Sequence, residues 1–137
     1  GDVDDHYQLE SIQVSSGTNV RPTATVELRL GDQRFVDSAT GDGPVDAAYK
    51  AIERITGVVG KLTEYSIKSV SLGRDAIGEV FVRAEFGGVL FNGRAVSTDI
   101  ITGSAKAYLE ALNRSLVAKK RKEEVQKVDI QQASVAV

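Results

Sequence analysis

Cysteine, methionine and tryptophan are all absent from the 137 residues. Without cysteine there is no disulfide framework and no thiolate chemistry, and nothing points to an oxidising compartment. Without methionine the chain has no start residue, so it reads as a piece cut from a longer protein. The single histidine, His6, follows Asp4 and Asp5 in an acidic N-terminal segment. A His-based triad needs an adjacent nucleophile and an orienting acid, and zinc sites favour clusters of Cys and His. His6 therefore reads as a solvated terminal residue. A Walker-type phosphate loop ends in Gly-Lys-Ser/Thr. The nearest Gly-Lys pair, Gly60-Lys61, continues Leu62-Thr63 and lacks the earlier glycine. The chain by itself is not expected to be an enzyme. No apolar run approaches the roughly 18 residues of a membrane span, and no signal-peptide pattern opens the chain. An excess of one charge is missing too. Lys and Arg total 17 against 19 for Asp and Glu, a net charge of -2, where a nucleic-acid binder carries a basic excess.

What remains is ordinary globular material, 42% hydrophobic and 26% charged, enough for one domain with a real core. A first strand is expected from Tyr7 to Val14, with Leu9, Ile12 and Val14 apolar, before a loop at Gly17 and Asn19. Ala24 to Leu30 alternates strictly, the pattern of a half-buried strand. Gly31-Asp32 turns the chain into a third strand, Arg34 to Ala39. Gly41-Asp42-Gly43-Pro44 then opens a helix, because Pro suits the first turn and Asp or Gly suits the cap. Val45, Ala48, Ile52 and Ile55 form its apolar face, and Gly57 closes it.

The order then repeats. Leu62 to Leu72 reads as a strand and Gly73-Arg74-Asp75 as a turn. Glu79 to Phe86 alternates, Gly87-Gly88 turns, and Val89 to Val96 is the third strand. Ser97 or Thr98 is the expected cap of a helix beginning at Asp99, with Ile101, Ala105, Tyr108, Leu112 and Leu116 as its stripe. Tyr7, Leu9, Ser11, Ile12 and Val14 match Tyr65, Ile67, Ser69, Val70 and Leu72 at one offset. Val26, Leu28, Leu30, Gly31, Phe35 and Ala39 match Val82, Ala84, Phe86, Gly87, Phe91 and Ala95 at an offset two residues shorter. The chain is therefore expected to be α+β, two tandem βββα units over residues 7–57 and 61–117 within one domain, 7–117. Residues 1–6 are expected to be a flexible linker end and 118–137 a polar tail that frays beyond Val128. One helix covers one face of each antiparallel sheet. Packing of the two units, and of two chains, would bury the remainder and create symmetric clefts.

Both sheet-to-helix junctions are candidates for binding. At Gly41-Asp42-Gly43-Pro44-Val45-Asp46 the glycines admit close approach of a ligand, and the helix start presents unpaired N–H groups to a carboxylate or phosphate. A plain turn and cap explains the same residues. Asp42 and Asp46 could meet an amine, which would suit a zwitterion. The second junction, Arg94 to Ile100, has more hydroxyls and less glycine, as capping requires. Tyr65 is either a core or rim aromatic or part of a site. Ala76 and Gly78 are small either to leave room for a ligand or because they turn the chain. Lys119-Lys120-Arg121-Lys122 is either a site for an anionic partner or a solvated helix end.

Several separated segments together resemble the C-terminal regulatory domain of alpha-isopropylmalate synthase. They are Gly41 to Ile52, Leu62-Thr63-Glu64-Tyr65-Ser66, Gly73-Arg74-Asp75-Ala76-Ile77-Gly78, Ser97-Thr98-Asp99-Ile100-Ile101 and Ser104-Ala105-Lys106-Ala107-Tyr108. The resemblance runs in order from Tyr7 to Arg114. It implies a dimerising domain of two βββα units that binds leucine as a feedback inhibitor. It implies a cytoplasmic parent enzyme whose TIM-barrel domain condenses acetyl-CoA with 2-oxoisovalerate using a divalent metal ion, with no cofactor in the present domain. Carried over by position, the effector site comprises Gly41, Gly43, Val45, Asp46, Leu62, Tyr65, Ser69, Ala76 and Gly78. Val45, Leu62, Tyr65 and Ala76 would receive the isobutyl group, the helix start the carboxylate, and Asp46 or backbone carbonyls the ammonium. Ser69, polar against an apolar side chain, is the least secure of these. The regulatory domain of citramalate synthase, which senses isoleucine, is the nearest alternative. A dimerisation domain without ligand and a double-stranded-RNA module are the others, the last opposed by the acidic balance.

Overall fold

The computed structural model describes residues 5–70 and 76–135. Its elements run β1 (Tyr7–Gly17), β2 (Val20–Leu30), β3 (Gln33–Thr40), α1 (Pro44–Thr56), β4 (Lys61–Ser69), β5 (Gly78–Phe86), β6 (Val89–Ser97) and α2 (Ile100–Val135). Two antiparallel sheets result, β1-β2-β3 and β4-β5-β6. The fold is thus α+β with two βββα units, as the sequence pattern predicts.

Alternation decides what each sheet buries. Ala24, Val26 and Leu28 of β2 and Val80, Val82 and Ala84 of β5 have no exposed surface. They face the helices, and their neighbours along the strand face outward. The outward faces carry charge networks. Arg29 and Arg34 pair with Glu10 on one sheet. On the other, Arg83 pairs with Glu64 and Arg94 with Glu79, both guanidinium groups lying over the Phe81 ring at 5.7 and 5.0 Å. The two units share one core. Val26 and Leu28 join Ile52 of α1, Val80 and Val82 of β5, and Tyr108 and Leu112 of α2 in a single apolar cluster. Asn113 of α2 fastens the free edge of β1, accepting from the Tyr7 N–H at 3.0 Å and donating to its carbonyl at 2.9 Å. α1 ends at Gly57, whose positive φ of 70° closes the helix where a Cβ would be strained.

Strand register revises the repeat. The second and third strands and the helix starts correspond at the predicted offset, since Leu28 pairs with Phe35 as Ala84 pairs with Phe91. The first strands do not correspond as predicted. Leu9, Ile12 and Val14 oppose Leu28, Val26 and Ala24, whereas Leu62, Tyr65 and Ile67 oppose Ala84, Val82 and Val80. Tyr65 is therefore the counterpart of Ile12, and Tyr7 is not the counterpart of Tyr65. Both strands carry an irregularity at the same place, between Leu9 and Ser11 and between Leu62 and Glu64. The irregularity is common to both strands and leaves their correspondence unchanged. What differs is the connection, with nine residues between Val14 and Ala24 and twelve between Ile67 and Val80, a difference that matching of residue types alone does not see.

Three further boundaries differ. β4 ends at Ser69 rather than Leu72, and the expected turn Gly73-Arg74-Asp75, with Leu72, lies outside the described residues. The cap of α2 is Asp99, not Ser97 or Thr98: its carboxylate accepts from Ile101 N–H at 2.9 Å and from the Thr102 hydroxyl at 3.1 Å. Helix α2 does not fray at Val128 but continues to Val135. Its residues from Ala118 to Ser134 are exposed. A change to polar composition ends burial, not helicity. The segment is rich in Ala, Lys, Arg, Glu and Gln, good helix formers, and contains neither Gly nor Pro to stop it. Asp5, assigned to the flexible end, pairs with Lys120 at 3.0 Å. That bond holds the Asp5 carboxyl below its ordinary range.

Candidate functional site

α1 begins without a side-chain cap. Its N-cap residue is Gly43, in extended backbone, and Pro44 takes the first position. The first intrahelical bond comes from Ala47 N–H to the Gly43 carbonyl. The N–H groups of Val45 and Asp46 lie ahead of it, without an intrahelical acceptor. The corresponding residue of the second unit is Asp99, whose carboxylate serves its own helix start. The two junctions therefore differ in one decisive way: α2 satisfies its first turn internally and α1 leaves it to an outside acceptor.

The glycines of the first junction have different roles. A Cβ on Gly41 would collide with the backbone N of Ala47 and lie 2.7 Å from the Asp46 carboxylate, so Gly41 is required by the fold. A Cβ on Gly43 would meet nothing within 4 Å. Asp46 accepts from the Asp42 N–H at 2.8 Å and pairs with Lys50 at 3.0 Å. The Asp42 amide, aided by Lys50, holds the Asp46 carboxyl below the usual carboxylate range and keeps it anionic.

Just beyond this helix start lies a pocket of about 360 Å³ lined by Val45, Asp46, Tyr49, Lys50, Glu53, Val59, Gly60, Leu62 and Tyr108. Its lining is apolar at Val45, Val59 and Leu62 and carries charges of both signs at Asp46, Lys50 and Glu53. Its aromatic wall joins the two units. Tyr49 and Tyr108 stack with centroids 4.2 Å apart. The Tyr108 hydroxyl donates to Glu53 at 3.2 Å and the Tyr49 hydroxyl to the carbonyl of Ser104 at 3.1 Å. Burial pushes both phenols well above their ordinary range, with Tyr65 adding to the shift at Tyr49 and Glu53 to that at Tyr108.

The expected site residues fall into three groups. Val45, Asp46 and Leu62 line one pocket, and Gly41 and Gly43 form the turn that leads into it. Tyr65 lies on the same face of β4 as Leu62 and meets the Ser104 hydroxyl at 2.6 Å, within the same network as Tyr49. Ser69, Ala76 and Gly78 stand at the far end of the β4–β5 pair, where Ser69 opposes Gly78. They do not line this pocket. Sequence reasoning missed Tyr49, Glu53, Ser104 and Tyr108. Tyr49 and Glu53 lie one turn apart on α1, and Ser104 and Tyr108 one turn apart on α2. Each helix thus brings two polar groups to one face, a spacing visible in the sequence but without meaning until the helices are paired. A larger groove of about 830 Å³ between β1 and α2 holds none of the expected residues. Among the described residues no group of three His, Cys, Asp or Glu side chains converges as metal ligands. No helix among them is long and apolar enough to cross a membrane.

The chain matches the family of the LeuA allosteric (dimerisation) domain over residues 1–116. It is 52% identical over 111 residues to a 2-isopropylmalate synthase of Nostoc sp. (strain PCC 7120 / SAG 25.82 / UTEX 2576), covering 80% of this chain and 21% of that one. With a 2-isopropylmalate synthase of Heliobacterium modesticaldum it shares 52% over 108 residues, 79% of this chain and 21% of the relative. With that of Gloeothece citriformis it shares 48% over 130 residues, 93% and 24%. The chain thus spans about a fifth to a quarter of the length of the curated relatives it matches.

Proposed function

Because this chain belongs to the LeuA allosteric (dimerisation) domain family, we propose that it is the leucine-sensing regulatory domain of a 2-isopropylmalate synthase. Leucine binds beside α1 and lowers the activity of the parent enzyme as end-product inhibitor. The observation that carries this reading is the uncapped start of α1 at Gly43, beside a pocket lined by apolar residues and an anionic Asp46. A free amino acid presents three matching groups. Its carboxylate suits the N–H groups of Val45 and Asp46 and the positive helix end. Its ammonium suits Asp46. An isobutyl chain suits Val45, Val59 and Leu62.

β4 and the residue that follows it leave Leu62, Ile67 and Val70 between 40% and 47% exposed. A second copy of the domain would cover such side chains, as the family's dimerising character implies. In the parent, this domain biases the conformation or dynamics of a TIM-barrel domain that condenses acetyl-CoA with 2-oxoisovalerate and holds the divalent metal ion. This reading assigns no metal or cofactor to the present domain. On this reading the parent enzyme is cytoplasmic, as the resemblance implies.

Calorimetric titration with leucine, isoleucine and valine tests the reading. Saturable leucine binding near one site per chain, tighter than for the other two, supports it. Tighter isoleucine binding would reassign the domain to a citramalate synthase. Absence of binding to a folded dimer would leave dimerisation as its role.

A further inference from the structure

Ser104 is the point where three elements meet. It is fully buried on α2. Its hydroxyl lies 2.6 Å from the Tyr65 hydroxyl of β4, and its carbonyl accepts from the Tyr49 hydroxyl of α1 at 3.1 Å. Tyr49 lines the pocket beside α1, and Tyr65 shares a strand face with Leu62, which lines it too. β4 is an edge strand with every residue exposed, and Tyr65 itself is 36% exposed. The ring of a half-exposed tyrosine on an edge strand is free to turn toward solvent unless its far end is fastened, and the Ser104 hydroxyl fastens it.

Internal symmetry offers an alternative to this bond. Register makes Ile12 the counterpart of Tyr65. The helix starts at Pro44 and Ile100 make Ala48 the counterpart of Ser104. In the first unit Ile12 packs against a cluster containing Ala48, an apolar pair in the same structural place. The second unit replaces it with two hydroxyls. A buried hydroxyl costs free energy unless it is hydrogen-bonded, and an aliphatic pair of suitable shape fills such a place without that requirement.

We propose that Ser104 is a positioning residue of the effector pocket: it ties Tyr65 and Tyr49 together through its own hydroxyl and carbonyl and so shapes the wall that leucine meets, without touching leucine. This rests on the leucine reading above.

The test is a double-mutant cycle on the full chain, read by leucine calorimetry and by thermal unfolding. Ser104→Ala and Tyr65→Phe each weaken leucine binding by about tenfold, the scale of one lost hydrogen bond. The double variant is no weaker than either single one. Tyr65→Ile combined with Ser104→Ala copies the pair of the first unit. It keeps the melting temperature and loses leucine binding, a split that a purely structural role would not produce. Wild-type leucine affinity in Ser104→Ala, or additive losses in the cycle, would overturn the assignment while the leucine reading stands. No saturable leucine binding by the unsubstituted chain would overturn both. If the pair copied from the first unit unfolds the chain, its standing as an alternative to the bond is overturned.

Discussion

Tyr49 of α1 and Tyr108 of α2 stack across the seam between the two units, their planes 17° from parallel. Each hydroxyl reaches the other unit, Tyr108 to Glu53 and Tyr49 to the Ser104 carbonyl. Truncating Tyr108 to Ala removes a ring with 1% of its surface exposed and is expected to cost about 3–5 kcal/mol. Tyr49→Phe keeps the stack and loses one hydrogen bond, about 1 kcal/mol. Denaturant unfolding of both variants measures the difference. Both phenols also fix the alkaline limit. In the unfolded chain each ionises near 10.0, and in the folded chain burial keeps it protonated to higher pH. Above that value the folded state retains protons the unfolded state has lost. The stability is therefore intact below about pH 10 and falls as pH rises beyond it, by up to about 1.4 kcal/mol per pH unit for each tyrosine. Tyr49→Phe should flatten that decline.

Gly43→Asp should separate stability from binding. The backbone at position 43 is extended and the space around its Cβ is open. An aspartate there would copy the cap that Asp99 gives α2. A cap of this kind stabilises by a few tenths of a kcal/mol over Gly. The same carboxylate would occupy the N–H groups proposed for leucine and repel the ligand's own carboxylate. The expected result is an equal or higher melting temperature with leucine binding abolished, and a parent enzyme resistant to leucine. Unchanged leucine affinity would place the effector elsewhere.

Gly93→Ala tests the packing of α2 on its sheet. A Cβ at this position of β6 would collide with the carbonyl of Ala107 and lie 3.0 Å from the N of Ala111. Both are helix backbone, which cannot move aside as a flexible side chain can. A loss of about 1–3 kcal/mol is expected, read as a lower denaturation midpoint at unchanged slope. Gly17→Ala, at an open position at the end of β1, is the control and should change stability little.

Shortening the chain after Glu124 tests the autonomy of the end of α2. The residues removed are exposed wherever described and include Val125, Val128 and Ile130, each at least half exposed. Helical ellipticity should fall in proportion to the residues lost, while the cooperative transition of the core stays within about 0.5 kcal/mol. A large loss of core stability would show that this helical end supports the body or its dimer.

The sequence by itself determined the class of this protein and most of its elements. Strict alternation from Ala24 to Leu30 and from Glu79 to Phe86 admits only half-buried strands. Pro44 and Gly57 bracket α1 by backbone chemistry that holds in any context. The segment around Gly43 and Asp46 was legible as a candidate site because glycines and a proline at a helix start can be read locally. Tertiary structure alone decided the rest. A connection three residues longer between β4 and β5 than between β1 and β2 set Tyr65 opposite Val82 and made Ile12 its counterpart, since register depends on a partner strand. The continuation of α2 past Ala118 was hidden because hydrophobic periodicity reports burial, and a helix that buries nothing leaves no period. The pairing of Tyr49 with Tyr108, and of Ser104 with Tyr65, joins residues 59 and 39 positions apart. Only the docking of α1, α2 and β4 brings them together, because side chains that face one another across a seam carry no mark of it along the chain.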